Sequence, residues 1–263
     1  MMQNNSILSV RDLSVDFGSA YGVVEALRNV SFDVPPGSII GIVGESGCGK
    51  STLINAILGL LPSNGHIRNG QLLFKGLGDL RKKSATEMTS IRGVDISVVF
   101  QDPMNALNPV RTIGQQMRDI QYRLQASSRQ KDKRSVAMLQ KVRMPDAESR
   151  LRQYPHEFSG GMKQRIAIAM ALLLEPQLLI ADEPTTALDA TLELATIEML
   201  REIQSDMNCA ILFISHHLGV ISELCEQVII MYAGEVVEKG TVSAVFDDPR
   251  HPMELILLLY YDS

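Results

Sequence analysis

Gly44-Glu45-Ser46-Gly47-Cys48-Gly49-Lys50-Ser51-Thr52 is the stretch that decides the fold, since it fits the phosphate-loop pattern G-x-x-x-x-G-K-[ST] throughout. The apolar run 39–43 before it is typical of a buried strand, and residues 52–60 after it favour a helix. Its glycines let backbone N–H groups converge on phosphate oxygens, and the helix adds a positive dipole end. We expect a nucleotide site in which Lys50 reaches the terminal phosphates and the Ser51 hydroxyl ligates Mg²⁺. A glycine-rich turn matching by chance is the alternative, and the strand–loop–helix context argues against it.

The composition of the 263 residues is that of an ordinary soluble globular chain, with 45% apolar and 21% charged residues. The net charge of −5 argues against nonspecific nucleic-acid binding. Three cysteines without metal-ligand spacing indicate reduced thiols in a cytosolic protein. Residues 1–8 lack the pattern of a secretory signal, and no apolar run approaches the roughly 18 residues that span a bilayer. We therefore expect any connection to a membrane to go through a partner.

The spacing of apolar residues changes along the first 152 residues of the chain. Alternating apolar and polar residues over 8–33 predict half-buried strands, and further strands are predicted at 70–74 and 96–100. Residues 112–152 have helical spacing, which predicts a helical subdomain inserted into an α/β body. The charge run 129–134 within it is most simply a solvated surface, and a contact with anionic lipid is the second reading.

Two predicted strands end in polar side chains that suit metal and water chemistry. Gln101 follows the first, and its amide is suited to holding a metal ion or an attacking water. Asp182 and Glu183 end the second, where strand alternation sends neighbouring side chains to opposite faces. Because ligands of open α/β sheets gather at the carboxyl ends of strands, we interpret Asp182 as linked to Mg²⁺ and Glu183 as the general base. Two acids placed there for solubility are the weaker alternative.

A second phosphate-binding element is predicted at Ser159-Gly160-Gly161, just before an apolar helix at 166–174. Its alternative is a simple helix cap. A predicted strand at 210–215 ends in His216-His217, where His216 is suited to hydrogen-bond a γ-phosphate or to act as a local cap.

Shorter sequence patterns predict the structure of the remaining C-terminal segments. Ala187-Leu188-Asp189 is predicted to open a helix that continues to 201. Residues 228–238 predict a hairpin with its turn at Ala233-Gly234. The apolar stretch 255–261 is expected to form a packed terminal helix or a partner contact.

The order of these elements resembles the ATPase subunit of ABC transporters, over nearly the whole chain. The resemblance implies an α/β fold: a mostly parallel RecA-like core sheet, an N-terminal antiparallel β subdomain and an inserted α-helical subdomain. The expected single domain covers 1–263. Its α/β core with the antiparallel subdomain takes 1–100 and 166–250, the helical subdomain 102–165, and a short C-terminal tail 251–263.

The resemblance also implies a role for each matching residue. In the family two ATPase units close head to tail, so Ser159, Gly160 and Gly161 would touch the γ-phosphate in trans. The implied catalytic set contains Glu183 as base, His216 as switch histidine, Gln101 as the metal-binding and sensing residue, and Lys50. The implied nucleotide-binding set is Gly44, Glu45, Ser46, Gly47, Cys48, Gly49, Lys50, Ser51, Thr52 and the three signature residues, with Asp189 at the dimer seam. The implied Mg²⁺ ligands are Ser51, Gln101 and, through water, Asp182.

Tyr21 matches the aromatic residue that stacks on adenine, with Phe17 as the alternative. By spacing alone, a tyrosine packed at a strand end is an equal reading of Tyr21. The helical insert would grip a transmembrane partner.

A narrower resemblance, to the peptide and nickel importer branch, is carried by 99–109, 158–165 and 231–234. It implies ATP and Mg²⁺ as cofactors and peptides, nickel or metal chelates as cargo. The implied partners are a second, different ATPase subunit, two transmembrane permease subunits and, indirectly, an extracytoplasmic substrate-binding protein. The implied location is peripheral, at the cytoplasmic face of the inner membrane.

The sequence departs from the branch at two places that matter. His217 replaces the usual aspartate after the switch histidine, which adds an ionisable group. Met253-Glu254 replaces the usual Tyr-Thr pair, and no cysteine follows Cys225, so we expect no iron–sulfur cluster in this chain.

Two other functions compete with the importer reading. A non-transport ABC ATPase in a cytosolic assembly, as in phosphonate breakdown, is the first, and the motif at 105–109 favours the importer over it. A nucleic-acid-linked ABC protein is the second. A single unit, a short insert and an acidic balance argue against it, and we expect no nucleic-acid partner.

Overall fold

The computed structural model describes residues 6–102, 106–185 and 189–247. The chain divides into two compact units, the first formed by Met1–Arg92 and Ala210–Ser263 and the second by Gly93–Cys209. The helical subdomain predicted at 102–165 falls inside the second unit, and the finer division of the chain stays a prediction.

The first unit contains an antiparallel sheet and a mixed sheet. Its strands are β1 (Leu8–Ser19), β2 (Gly22–Val34), β3 (Ile39–Val43), β4 (Gly65–Phe74), β5 (Gly78–Asp79), β8 (Ala210–Ile214), β9 (Gln227–Tyr232) and β10 (Glu235–Thr241). Its helices are α1 (Lys50–Leu58), α2 (Ala85–Ile91), α8 (Leu218–Leu224) and α9 (Val242–Asp247), with a 3₁₀ turn at Leu80–Lys82.

The antiparallel sheet has the order β2-β1-β4-β5. β1 and β2 confirm the strands predicted from the alternation at 8–33. β4 begins at Gly65, five residues before the predicted start at 70, so that boundary was wrong. The cause is Gly70, whose φ is +104° and whose added Cβ would come within 2.5 Å of the Leu13 Cα. This irregular glycine interrupts the alternation of apolar and polar residues in the middle of β4. The sequence pattern therefore predicts only the second half of the strand.

In the mixed sheet of the first unit, β3 pairs in parallel with both β8 and β9, and β10 continues as an antiparallel hairpin partner of β9. Every residue of β3 and β8 is buried, as the continuous apolar runs predict for strands covered on both faces. The hairpin turn lies at Ala233-Gly234, as predicted, and both residues have positive φ, at 46° and 86°. A two-residue turn of this kind matches the twist of the two strands.

α1 begins at Lys50 and ends at Leu58, so the predicted helix at 52–60 was displaced by two residues. The helix ends early because Gly59 adopts a left-handed conformation, with φ at 61°, and donates its N–H to the Asn55 and Ala56 carbonyls.

The second unit is built on a parallel strand pair and helices. β6 (Ile96–Val99) and β7 (Leu178–Asp182) pair from Ile96–Leu178 to Val99–Ala181. Its helices are α3 (Ile113–Ile120), α4 (Ser128–Lys141), α5 (Ala147–Arg150), α6 (Gly160–Leu172) and α7 (Ala190–Met207), with a 3₁₀ turn at Pro155–Glu157. α3 to α5 confirm the helices predicted from the apolar spacing of 112–152. Capping boxes at Thr112 and Ser127 start α3 and α4, because each side chain accepts from a backbone N–H three residues on.

Some predictions fall outside the described residues. These are the tail at 251–263, Ala187-Leu188 and residues 103–105 of the branch motif. None of the helices in the described ranges combines the length and the hydrophobicity that a membrane span requires.

Candidate functional site

The phosphate loop joins β3 to α1 in the first unit and has the conformation its glycines predict. Gly47 and Gly49 have φ values of 82° and 109°, which favour glycine. Gly49 stands at the N-cap of α1, and no described side chain caps that helix end. The first N–H groups of α1 therefore remain for a ligand, and the dipole end favours an anion.

The remaining loop positions divide by exposure. Glu45, Ser46, Gly47 and Ser51 are exposed, Thr52 is half-buried, and Gly44 and Cys48 are buried. The Ser51 hydroxyl has no hydrogen-bond partner among the described residues, so it is uncommitted. The exposed residues of the loop thus form a polar surface, and Gly44 and Cys48 lie buried under it.

Lys50 lies folded back inside the loop. Its side chain is 8% exposed, and its Nζ donates to the Gly44 carbonyl at 2.5 Å and the Glu45 carbonyl at 2.9 Å. A buried ammonium needs such partners because desolvation is costly. The loop carbonyls hold the charge where phosphate is expected, so a bound phosphate would replace them.

The Cys48 thiol lies beside this ammonium, with its Sγ at 3.8 Å from the Lys50 Nζ. Burial raises the pKa of Cys48, and the charge of Lys50 partly opposes that rise. The thiol is therefore a poor nucleophile despite its place in the loop.

In the second unit, Gln101 and Glu183 meet. β6 and β7 are parallel neighbours, so the residues that follow them emerge at the same edge of the pair. The Gln101 Nε2 donates to the Glu183 Oε2 at 2.8 Å, which leaves the amide oxygen of Gln101 available. The sequence predicts both residues at strand ends with separate roles, but it does not predict this bond.

Glu183 does not follow the strand alternation that the sequence suggested. β7 ends at Asp182, which is half-buried, and Glu183 already has a left-handed backbone with φ at 46°. The argument that the two carboxylates point to opposite faces of a strand therefore fails at Glu183. A non-glycine residue in this conformation costs about 1 kcal/mol, and such strain is often found at functional positions.

Ser159, the serine of the Ser159-Gly160-Gly161 element, is both a helix cap and an exposed group. Ser159 is the N-cap of α6, and its Oγ accepts from the Met162 N–H at 3.4 Å. Ser159 and Gly160 are exposed, and a Cβ added to Gly160 would meet nothing within 4 Å. The helix therefore begins at Gly160 rather than at 166 as predicted. The cap reading is confirmed, and the role in trans with Gly161 stays a prediction.

Asp189 and the histidines also stand next to helix starts. Asp189 is the exposed N-cap of α7, where its Oδ1 accepts from the Leu192 N–H at 2.9 Å, so α7 begins at Ala190. His216 and His217 follow β8 and are both exposed. The His217 N–H donates to the Ser215 Oγ at 2.9 Å, which fixes the chain between β8 and α8.

The two aromatic candidates for adenine differ in environment. Tyr21 is fully exposed in the turn between β1 and β2, so the reading of a packed tyrosine was wrong. Phe17 lies against Gly65, where an added Cβ would come within 2.6 Å of its ring. Tyr21 thus stays the predicted stacking residue.

Among the described residues, no group of three or more His, Cys, Asp or Glu side chains gathers to hold a metal ion. Mg²⁺ suits a different arrangement, because it keeps several waters and is bound by one or two protein ligands and substrate phosphates. In the first unit, the uncommitted Ser51 hydroxyl is a ligand of this kind. In the second unit, the open amide oxygen of Gln101 is another.

Comparison with known proteins gives concordant matches. A family model described as ABC transporter matches residues 27–186. The dipeptide transport ATP-binding protein DppD of Bacillus subtilis is 48% identical over 94% of this chain and 74% of its own. The oligopeptide transport ATP-binding protein OppD of Haemophilus influenzae is 45% identical over 97% of this chain and 78% of its own.

A solved structure is also similar, the dimeric post-hydrolysis state of the ATP-binding cassette MJ0796 bound to ADP and Pi. Its TM-score is 0.78 at 26% identity, over 89% of this chain and 98% of that one.

Proposed function

This chain belongs to the ABC transporter family as an ATP-binding, ATP-hydrolysing subunit, and we propose that it powers peptide uptake through a partner permease. The names of its relatives favour peptides over the nickel or metal chelates that the branch also carries. The main support for the hydrolytic role is the Gln101–Glu183 hydrogen bond. It joins the proposed base to an amide that is suited to binding a metal ion.

The phosphate loop supplies the binding energy for ATP. Its N–H groups and the start of α1 receive phosphate oxygens, and Lys50 exchanges the Gly44 and Glu45 carbonyls for the terminal phosphates. Ser51 and Gln101, with Asp182 acting through water, would hold Mg²⁺, which neutralises charge on the phosphates when it is bound.

Glu183 accepts the proton of the attacking water, and Gln101 orients the carboxylate through their hydrogen bond. Ser159, Gly160 and Gly161 of one unit would complete the site of another, with Asp189 at the seam and His216 contacting the γ-phosphate. The exposure of Ser159, Gly160, Asp189 and His216 supports these roles, and Gly161 is half-buried.

The proposed assembly contains this subunit, a different second ATPase, two permeases and an extracytoplasmic binding protein that delivers cargo. The names of the relatives, which are ATP-binding proteins of dipeptide and oligopeptide transport, support a peripheral place at the cytoplasmic face of the membrane.

The decisive experiment compares Glu183→Gln with the wild type after mild-detergent purification from native membranes. The amide can hydrogen-bond water but cannot accept its proton, so we expect retained ATP binding and a loss of turnover of about 10²- to 10⁴-fold. Mass spectrometry of the same preparation should find two permeases and a second ATPase. Turnover at the wild-type rate would refute the base assignment, and only soluble partners would favour the cytosolic-assembly reading.

A further inference from the structure

The outer side of the phosphate loop is closed by backbone from β2 and from the β9–β10 turn. The Gly234 N–H donates to the Cys48 carbonyl at 3.0 Å. A Cβ added to Gly49 would come within 2.7 Å of the Leu27 Cδ2, 2.9 Å of the Ala26 carbonyl oxygen and 3.7 Å of the Gly234 Cα. The loop is therefore packed closely against β2 and this turn.

The bond from Gly234 fixes the direction of a phosphate-binding donor. The carbonyl of Cys48 and the N–H of Gly49 belong to one planar trans peptide, so they point in opposite directions. With the carbonyl anchored outward on the turn, the Gly49 N–H faces the inner side of the loop. Gly49 is also the N-cap of α1, so its N–H lies at the positive end of the helix dipole.

Arg28, on β2, holds the turn at each of its residues. Its Nη2 donates to the Ala233 carbonyl at 2.7 Å, and its backbone N–H donates to the Gly234 carbonyl at 2.8 Å. Its Nε lies 3.3 Å from the Glu235 carboxylate. The ion pair is partly exposed and therefore screened, so the bond to Ala233 is the stronger link. Ala233 is a non-glycine residue with φ at 46°, a conformation that needs such support.

We propose that Arg28 is a positioning residue for ATP binding: by holding the Ala233-Gly234 turn against Cys48, it orients the Gly49 N–H toward phosphate. The chain of contacts from Arg28 through the turn to Cys48 forms a loop brace. The proposal rests on ATP binding at the phosphate loop, and it adds a determinant that lies outside the motif itself.

The test uses the full-length protein and measures the Kd for ATP by calorimetry, together with KM and kcat in the purified transporter. Arg28→Met should weaken ATP binding about tenfold and raise KM, with a smaller change in kcat. Arg28→Lys should recover part of the affinity, since an ammonium can donate to the Ala233 carbonyl. Arg68→Met is the matched control: Arg68 is an exposed arginine of the same antiparallel sheet that pairs with Asp16 and Glu25.

Alkylation of the three buried cysteines provides a local readout. Cys48, at the end of the loop brace, is only 4% exposed, and Cys209 and Cys225 are also buried. In Arg28→Met, peptide mass spectrometry should show N-ethylmaleimide modifying Cys48 at least about five times faster, with the other two unchanged. The Arg68→Met control should alter none of the three.

Two outcomes would overturn the proposal. One is an ATP Kd for Arg28→Met within twofold of that for Arg68→Met, and the other is a uniform acceleration at all three cysteines, which indicates general destabilisation. A wild-type protein that fails to bind ATP would instead refute the proposed function, and the rate at Cys48 would then decide the loop brace alone.

Discussion

Replacing Lys50 with methionine removes one charge from the phosphate loop while keeping an unbranched stem in its buried position. Without nucleotide, the Lys50 ammonium donates hydrogen bonds to the Gly44 and Glu45 carbonyls. The effect on ATP binding is therefore the attraction between the ammonium and the phosphates, less the two carbonyl hydrogen bonds that the ammonium gives up.

That difference can be worked from the surroundings of the ammonium. At an effective dielectric constant of about 20, one phosphate charge at about 4 Å contributes about 4 kcal/mol, so two contribute about 8 kcal/mol. Giving up two charge-assisted hydrogen bonds costs about 1.5–3 kcal/mol each. The remainder is at least about 2 kcal/mol, so Lys50→Met should raise the Kd for ATP at least about 30-fold.

Isothermal titration of the purified chain measures this Kd directly. Lys75→Met is the control, since Lys75 is an exposed lysine after β4 whose loss changes the net charge equally. We expect the control to bind ATP as the wild type does. A Kd for Lys50→Met within threefold of the wild-type value would refute the reasoning, because the ammonium would then contribute nothing beyond its hydrogen bonds to the loop carbonyls.

Two further predictions concern stability. Arg92→Met should lower the free energy of unfolding in urea by about 1–3 kcal/mol, because the Arg92 guanidinium donates to the Leu58 and Gly59 carbonyls at 2.7 and 3.0 Å and so caps α1; a loss below about 0.5 kcal/mol would contradict the capping role. Burial raises the pKa of Cys209 from 9.0 to about 12, so above pH 9 the unfolded thiol loses its proton while the folded one keeps it. Stability should therefore fall as pH rises from 9 toward 12, by up to about 1.4 kcal/mol per unit, and Cys209→Ala should lessen that slope; equal slopes in the two proteins would argue against it.

The sequence predicts local geometry well in this chain. The phosphate loop is specified by nine consecutive residues, and the positive φ angles at Gly47 and Gly49 follow from them. The turn at Ala233-Gly234 is equally local, and the structure confirms it. Such features depend on backbone freedom at one or two positions, which residue type reveals directly.

What the sequence could not predict depends on contacts between distant segments. Gln101 and Glu183 are 82 residues apart, and their bond requires β6 and β7 to be neighbours. The bond from Gly234 to Cys48 joins a hairpin turn to a loop far earlier in the chain. Neither partner carries a pattern that identifies the other, so only the pairing of strands reveals these contacts.

A shared feature of Lys50 and Glu183 bears on how turnover is controlled. Without nucleotide, each is held by groups of its own unit, Lys50 by loop carbonyls and Glu183 by the Gln101 amide. A buried ammonium without partners would be costly, so the carbonyls keep the loop formed and ready for phosphate. A carboxylate that accepts from an amide is likewise held in one orientation before water arrives. In the proposed mechanism, binding ATP requires an exchange of partners at Lys50, whereas Glu183 keeps its bond to Gln101 while it accepts a proton. The two residues should therefore separate experimentally: loss of Lys50 acts on affinity, and loss of the Glu183 carboxylate acts on turnover.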